Sequence, residues 1–322
     1  MKPVWWEDGF LYYIDQRKLP GELVIEKTRD YNVIAEAIKE LAIRGAPVIG
    51  ISAAYGIVLA SLENKDIEEA AKVIKITRPT AINLFWAIDR MMSLQDRSFR
   101  SLLEEAIKIE KEDEEINYDI AMLGVQLIPE DSIVLTHCNA GGLATSGYGT
   151  ALGIIKKGWE DGKIREVLVD ETRPLLQGAR LTAWELQEAG IPYKVITDNT
   201  AGFMMALDRV SAIVVGADRI AGNGDVANKI GTCSLAIIAK RFNIPFIVAA
   251  PTSSFDWNIY KGKDIPIEQR KEEEVLYFAG SKVTPSGARA INFAFDITPA
   301  ELITAIVCEA GILRPPFIIQ SV

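Results

Sequence analysis

At 322 residues, the chain is long enough for a large core and for more than one folding unit. Hydrophobic residues make up 49% and charged residues 25%, which is ordinary globular usage and excludes a disordered chain or a fibre. A net charge of −9 argues against a nucleic-acid partner, yet leaves room for an anionic small molecule held by a few arginines and backbone amides.

The N-terminal "MKPVWWEDGFLYY" lacks a long apolar core and does not read as a signal peptide. "VWWEDGFLYYID" and "ELVIEKT" alternate around turn residues, which predicts a short β-meander. From Asp30 the pattern turns helical: "DYNVIAEAIKELAIRG" has an N-cap candidate in Asp30 and a stop at Gly45. Helices are then expected at 47–63, 66–77, 80–95 and about 100–127. The stretch "APVIGISAAYGIVLASL" is too short and too rich in small and polar residues for a membrane span, so it reads as a buried, close-packed helix. The charged run at 110–119 reads as a solvated face.

After Pro129, short apolar runs at 132–137, 166–171, 193–198, 212–218 and 245–251 alternate with amphipathic segments such as "QGARLTAWELQEAG" and "TCSLAIIAKRF". That rhythm predicts an α/β fold with a parallel sheet covered on both faces. The expected organisation is a smaller, mostly helical N-terminal domain (1–120, including the meander) and a Rossmann-like C-terminal domain (121–322). No internal repeat or low-complexity tract is present.

In open parallel sheets, ligands bind beyond the carboxyl ends of the strands. Here those ends read "THCNAGG", "DETRPLLQG", "TDNTAG", "GADRIAGNGDVANK" and "APTSSFD". Cys138 follows one strand, and Gly141 and Gly142 are expected to open a helix whose amides could hold an anion and lower the thiol's pKa. Its plain reading is a small buried apolar residue. His137 is the only histidine. Strand alternation sends it to the face opposite Cys138, so it is expected to support rather than to act as the thiol's base. One histidine and three scattered cysteines (Cys138, Cys233, Cys308) show no zinc spacing, so no metal is expected. They also suggest no disulfide framework, which fits a cytoplasmic setting. Asp218 could be a partly desolvated acid–base group, or a cap or partner for Arg219. Asn228 and Lys229 are expected at a helix start, and Arg44 and Arg78 at helix boundaries of the other domain. "GADRIAGNG" is not a dinucleotide fingerprint, and no Walker lysine occurs, so no nucleotide cofactor is expected.

Taken in order, "IRGAPVIGISAAYG", "RPTAINLFWA", "THCNAGGLAT", "VDETRPLLQGARLTAWEL", "TDNTAGFMM", "VVGADRIAGNGDVANKIGT", "AAPTSSFD" and "FDITPAELITAIVCEAGI" resemble the methylthioribose-1-phosphate isomerase family. That family shares a superfamily with ribose-1,5-bisphosphate isomerase and with regulatory subunits of the eukaryotic initiation-factor nucleotide exchange complex. The resemblance implies aldose–ketose isomerisation of 5-methylthioribose 1-phosphate, in methionine salvage. It implies Cys138 and Asp218 as catalytic residues and substrate contacts at Arg44, Gly45, Ala46, Arg78, Gln177, Asn228 and Lys229. It also implies no cofactor, no membrane, and a homodimer to which the apolar "ILRPPFIIQ" tail could contribute. Two departures stand out. The cysteine loop reads "CNAGG" where the family has "CNTG", and "IEQRKEEEVLYFAG" is looser than its counterpart. Because the anomeric oxygen carries phosphate, the ring cannot open simply. Either an acid protonates the ring oxygen while a base takes the C2 proton, or hydride shifts from C2 to C1. Isomerisation of ribose 1,5-bisphosphate and a non-catalytic, partner-binding role are the competing readings.

Overall fold

The computed structural model describes residues 1–78 and 81–317. The chain opens with an antiparallel meander of β1 (Val4–Glu7), β2 (Phe10–Ile14) and β3 (Ile25–Thr28). Helix α1 (Tyr31–Lys39) starts where expected, with the Asp30 carboxylate accepting the Asn32 amide. It stops before Gly45, because Leu41 adopts φ 62° and reverses the chain. Ala42 and Ile43 are buried as a turn inserted into the core, so their apolar character had mimicked a helix face.

Helix α2 (Ala46–Leu62) is buried continuously from Val48 to Ala60. Its small residues permit close approach: a Cβ on Gly50 would sit 2.8 Å from the Asn83 carbonyl oxygen. No described helix is long and apolar enough to cross a membrane. Helix α3 (Ile67–Lys75) is capped by Asp66. Helix α4 (Ile82–Met92) follows; residue 80, the expected start, lies outside the described residues. Helix α5 (Phe99–Gly124), capped by Ser98, gives Leu102, Ala106 and Ile109 to the helical core and Ile120 to the core beside the large sheet. Its charged run is not solvated throughout. Glu110 is buried, accepting from Tyr55 Oη and, at 2.7 Å, from Lys2 Nζ, because α5 turns that carboxylate toward α2.

Beyond α5 come β4 (Ser132–Thr136), α6 (Ala151–Glu160), β5 (Ile164–Asp170), α7 (Ala183–Glu188), β6 (Tyr193–Ile196), α8 (Thr200–Ala206) and β7 (Ala212–Val215). Then follow β8 (Arg219–Ala221), β9 (Val226–Lys229), α9 (Thr232–Phe242), β10 (Phe246–Ala249), β11 (Phe255–Asp256) and the single turn α10 (Glu273–Leu276). The hairpin β12 (Tyr277–Phe278) and β13 (Ser281–Lys282) precedes β14 (Phe295–Thr298), β15 (Ala305–Cys308) and β16 (Gly311–Leu313). A seven-stranded sheet has the order β16-β15-β10-β7-β4-β5-β6, parallel throughout except for the antiparallel edge β16. Its six parallel strands follow the doubly wound order 3-2-1-4-5-6. All five expected strands are present. The sequence reading did not anticipate β15 and β16, since the short buried run "AIVC" cannot be told from a helical segment by periodicity. Nor did it anticipate the small sheet β11-β8-β9-β14, which stands over the strand ends.

Candidate active site

The strand order reverses between β4 and β7, which pair directly with Val134 opposite Ala212 and Leu135 opposite Ile213. Connections from these two strands diverge to opposite sides, leaving a crevice at their carboxyl ends. Cys138 leaves β4 there, and Asp218 leaves β7. Both face one cleft of about 840 Å³, together with Arg44, Gly45, Ala46, Arg78, Gln177 and Lys229. Asn228 borders a smaller recess of about 460 Å³, which Cys138, Asp218 and Arg44 also line. Thus every residue singled out for catalysis or substrate contact lies at the same place.

Cys138 is buried and has φ 63°, an unusual backbone state for a residue with a Cβ. Its N–H donates to Thr172 Oγ1 at 2.8 Å, and its carbonyl accepts from Thr182 Oγ1 at 2.6 Å. These two threonines hold the turn that aims the thiol into the cleft.

Two expectations about backbone context are corrected here. Gly141 and Gly142 do not open an α-helix; only a 3₁₀ turn follows (Gly142–Ala144), and α6 starts at Ala151. The Gly142 and Leu143 amides are already taken by the Glu185 carboxylate, at 2.7 and 3.2 Å, so they form no empty anion cradle. A Cβ on Gly141 would lie 2.3 Å from Glu185 Oε1, so this glycine admits an internal carboxylate rather than a ligand. Asn228 and Lys229 end strand β9 rather than begin a helix. Gly231, at φ 104°, turns the chain before α9.

Strand alternation does not govern His137 and Cys138, since β4 ends at Thr136 and Cys138 turns at φ 63°; both border the smaller recess, but the imidazole of His137 has other partners. It is 2% exposed, with Nδ1 2.9 Å from Asp170 Oδ2 and Nε2 2.9 Å from the Ile230 carbonyl oxygen. Asp198, close to this pair, accepts the Thr172 and Arg173 amides at 2.7 and 2.8 Å. These groups are engaged in holding loops.

Charge inside the cleft is poorly compensated. Burial raises the Asp218 pKa, against the pull of Lys229, Arg78 and Arg44. Burial lowers the Lys229 pKa, against the Cys138 thiol and Asp218. Neither residue enters an ion pair among the described residues, although Lys229 Nζ sits 4.8 Å from the Phe295 ring centre. Among the described residues, Gln177 Oε1 and Arg78 Nε are buried without hydrogen-bond partners. At the rim the charges are paired. Arg78 reaches Glu268 at 3.2 Å, and Arg270 binds Glu268 at 3.0 Å and Glu274; among the described residues Arg44 has only a neutral partner, donating to Asn139 Oδ1 at 2.7 Å. Leu41, Ile49, Ala81, Leu175, Ile265 and Ile267 supply apolar walls.

Sequence reasoning missed Glu185, Thr172, Thr182 and Asn139, which shape the cysteine turn. For Glu185 a signal existed: it is an acid on the buried side of "LTAWELQ", and it is 7% exposed.

The description "Initiation factor 2 subunit family" matches residues 42–315. A methylthioribose-1-phosphate isomerase of Sulfurihydrogenibium sp. is 53% identical, covering 98% of this chain and 94% of its own. The crystal structure of 5-methylthioribose 1-phosphate isomerase from Pyrococcus horikoshii is 43% identical with TM-score 0.92, covering 98% of this chain and 93% of that one. The translation initiation factor eIF-2B, subunit delta, from A. fulgidus is also 43% identical, with TM-score 0.86 and coverages of 98% and 97%.

Proposed function

The chain belongs to the initiation factor 2 subunit family, and on that premise we propose that it is an aldose–ketose isomerase. It converts 5-methylthioribose 1-phosphate into 5-methylthioribulose 1-phosphate, a step of methionine salvage. The observation that carries this reading is the exit of Cys138 and Asp218 from neighbouring strands at the switch point into one cleft with Lys229. A partner-binding module has no use for a desolvated acid facing a thiol and a buried ammonium.

In the proton route, Asp218 is the acid, because burial raises its pKa and favours the protonated form. It donates to the ring oxygen as the C1–ring-oxygen bond breaks. The Cys138 thiolate, with the Lys229 ammonium nearby, takes the C2 proton to give an enol that still carries the C1 phosphate. The 2-hydroxyl then returns a proton to Asp218, and Cys138 protonates C1, leaving the ketone. Arg44, Arg78, Lys229 and Asn228 hold the phosphate and hydroxyls, with Gln177 Oε1 accepting a hydrogen bond from a hydroxyl. The apolar walls exclude water and accept the C5 methylthio group. A second phosphate on C5 would have to compete with Glu268 and Glu274 for Arg270, which favours the methylthio sugar over ribose 1,5-bisphosphate. The working unit is a homodimer in the cytoplasm. Its helical part (to about residue 120) closes over its sheet part. The "ILRPPFIIQ" tail, expected at the dimer surface, runs past the described residues.

Turnover assayed with both sugars tests the reading. Conversion of the methylthio sugar with little conversion of the bisphosphate is expected, and the reverse order or no turnover of either overturns it. Solvent deuterium appearing at C1 of the product is expected of the proton route, because the Cys138 thiol can exchange between taking the C2 proton and protonating C1. Complete retention of a C2 deuterium at C1 would overturn it in favour of hydride transfer.

A further inference from the structure

The reaction as read above has no use for the only histidine in the chain, yet that residue is among the most completely engaged side chains near the cleft. His137 Nε2 lies 2.9 Å from the Ile230 carbonyl oxygen, which can only accept, so Nε2 carries a hydrogen. Nδ1 lies 2.9 Å from Asp170 Oδ2, at the end of β5. The other Asp170 oxygen is buried without a partner among the described residues, so there this carboxylate serves the imidazole alone. Ile230 immediately follows Asn228 and Lys229, and the turn continues through Gly231, where a Cβ would meet the imidazole at 3.0 Å. The imidazole is therefore a strut between two strand ends: its own backbone leads into Cys138, and its Nε2–H grips the turn that carries Lys229.

We infer that His137 is a positioning residue for the isomerisation, fixing the Asn228–Lys229 turn against the Cys138 turn through the Nε2–H bond to Ile230, with Asp170 orienting the ring. This rests on the isomerase reading. Burial works against a charged imidazole, but the Asp170 hydrogen bond and charge outweigh it and raise the His137 pKa. Loss of the shared proton would leave one ring nitrogen facing an acceptor without a hydrogen, so the strut loses one of its two bonds at high pH. Asp198 also acts on the ring, and Asp296, which accepts the Gly231 and Cys233 amides, faces it from β14.

The test uses two substitutions that split the imidazole's roles. In His137→Gln the amide nitrogen reaches the Nε2 position and can still donate to Ile230, whereas His137→Asn reaches only toward Asp170. His137→Asn should lower kcat/KM by about tenfold to about 100-fold, the cost of a misplaced catalytic group. His137→Gln should restore most of that and should lack the high-pH limb that distinguishes wild type. Other ionisable groups, Lys229 and Asp218 among them, share the cleft, so the limb is read as the difference between wild type and His137→Gln. A single histidine also gives a single imidazole signal in the nitrogen NMR spectrum of the folded wild-type chain. A protonated Nε2 is expected, with no substrate present. An unprotonated Nε2, full activity in His137→Asn, or equal losses in both variants would overturn the inference. Failure of wild type to turn over the methylthio sugar would instead strike the isomerase reading and leave the NMR result standing.

Discussion

The inner wall of the cleft and its rim are both charged, but they use charge in opposite ways. At the rim, Arg78, Arg270, Glu268 and Glu274 neutralise one another. In such largely buried pairs the attraction is offset by the cost of desolvating both partners, and they mainly hold loops in register. On the inner wall, Asp218 and Lys229 are desolvated and unpaired among the described residues, which costs folding free energy. A fold keeps such a cost where chemistry needs groups that are not already satisfied. The contrast supports the proposed placement of the reaction on the inner wall, with access and selection at the rim.

Four measurements press on that contrast, from the largest expected effect to the smallest. Cys138→Ser and Asp218→Asn should each lower kcat by about 10²- to 10⁴-fold with the circular dichroism spectrum unchanged. Retained turnover in both would remove the chemistry from the inner wall. Lys229→Met should lose about 10²-fold in kcat/KM while melting at or above the wild-type temperature, because an unpaired buried charge is gone. A large drop in melting temperature would mean that Lys229 is structural.

Asp113 offers a buried carboxyl outside the main cleft, and burial pushes its pKa up to about 6 despite the Ser146 and Asn117 hydrogen bonds. The folded state therefore holds a proton that the unfolded chain releases near its ordinary value. That stabilisation is complete below the unfolded value and is lost as pH rises through about 6. Asp113→Asn should thus gain stability relative to wild type between low and neutral pH, by ~1–3 kcal/mol, with activity unchanged. Burial without chemistry would then be separated from burial with it. Finally, Glu268→Gln should shift KM about two- to fivefold and leave kcat alone, as expected where one acid of a charge network is removed and Glu274 still pairs with Arg270. A large kcat effect would erase the distinction between rim and wall.

Much of this arrangement was legible in the sequence. Alternation of apolar runs with amphipathic segments gave the parallel sheet, and polar residues at the run ends gave Cys138 and Asp218 as site candidates. Alternation does not separate His137 from Cys138, because β4 ends at Thr136 and the Cys138 turn breaks the period; the imidazole is instead occupied by Asp170 and Ile230. The Gly141–Gly142 anion cradle was misread because composition cannot reveal that a carboxylate distant in sequence, Glu185, fills it. The helix through Gly45 was overextended because burial of Ala42 and Ile43 looks the same in a turn as on a helix face.

What the sequence by itself determined is the set of elements and the polar residues at their ends, since period and capping are local properties. Which ends meet is a matter of strand order. Tertiary structure alone places β7 beside β4 and folds β9 over them, bringing Cys138, Asp218 and Lys229 into one desolvated cleft. It alone gives His137 its two partners, because those contacts join β4 to β5 and to the turn after β9 across long stretches of chain. Desolvation, and with it the pKa shifts that suit these groups to acid–base work, exists only once those distant segments have packed together.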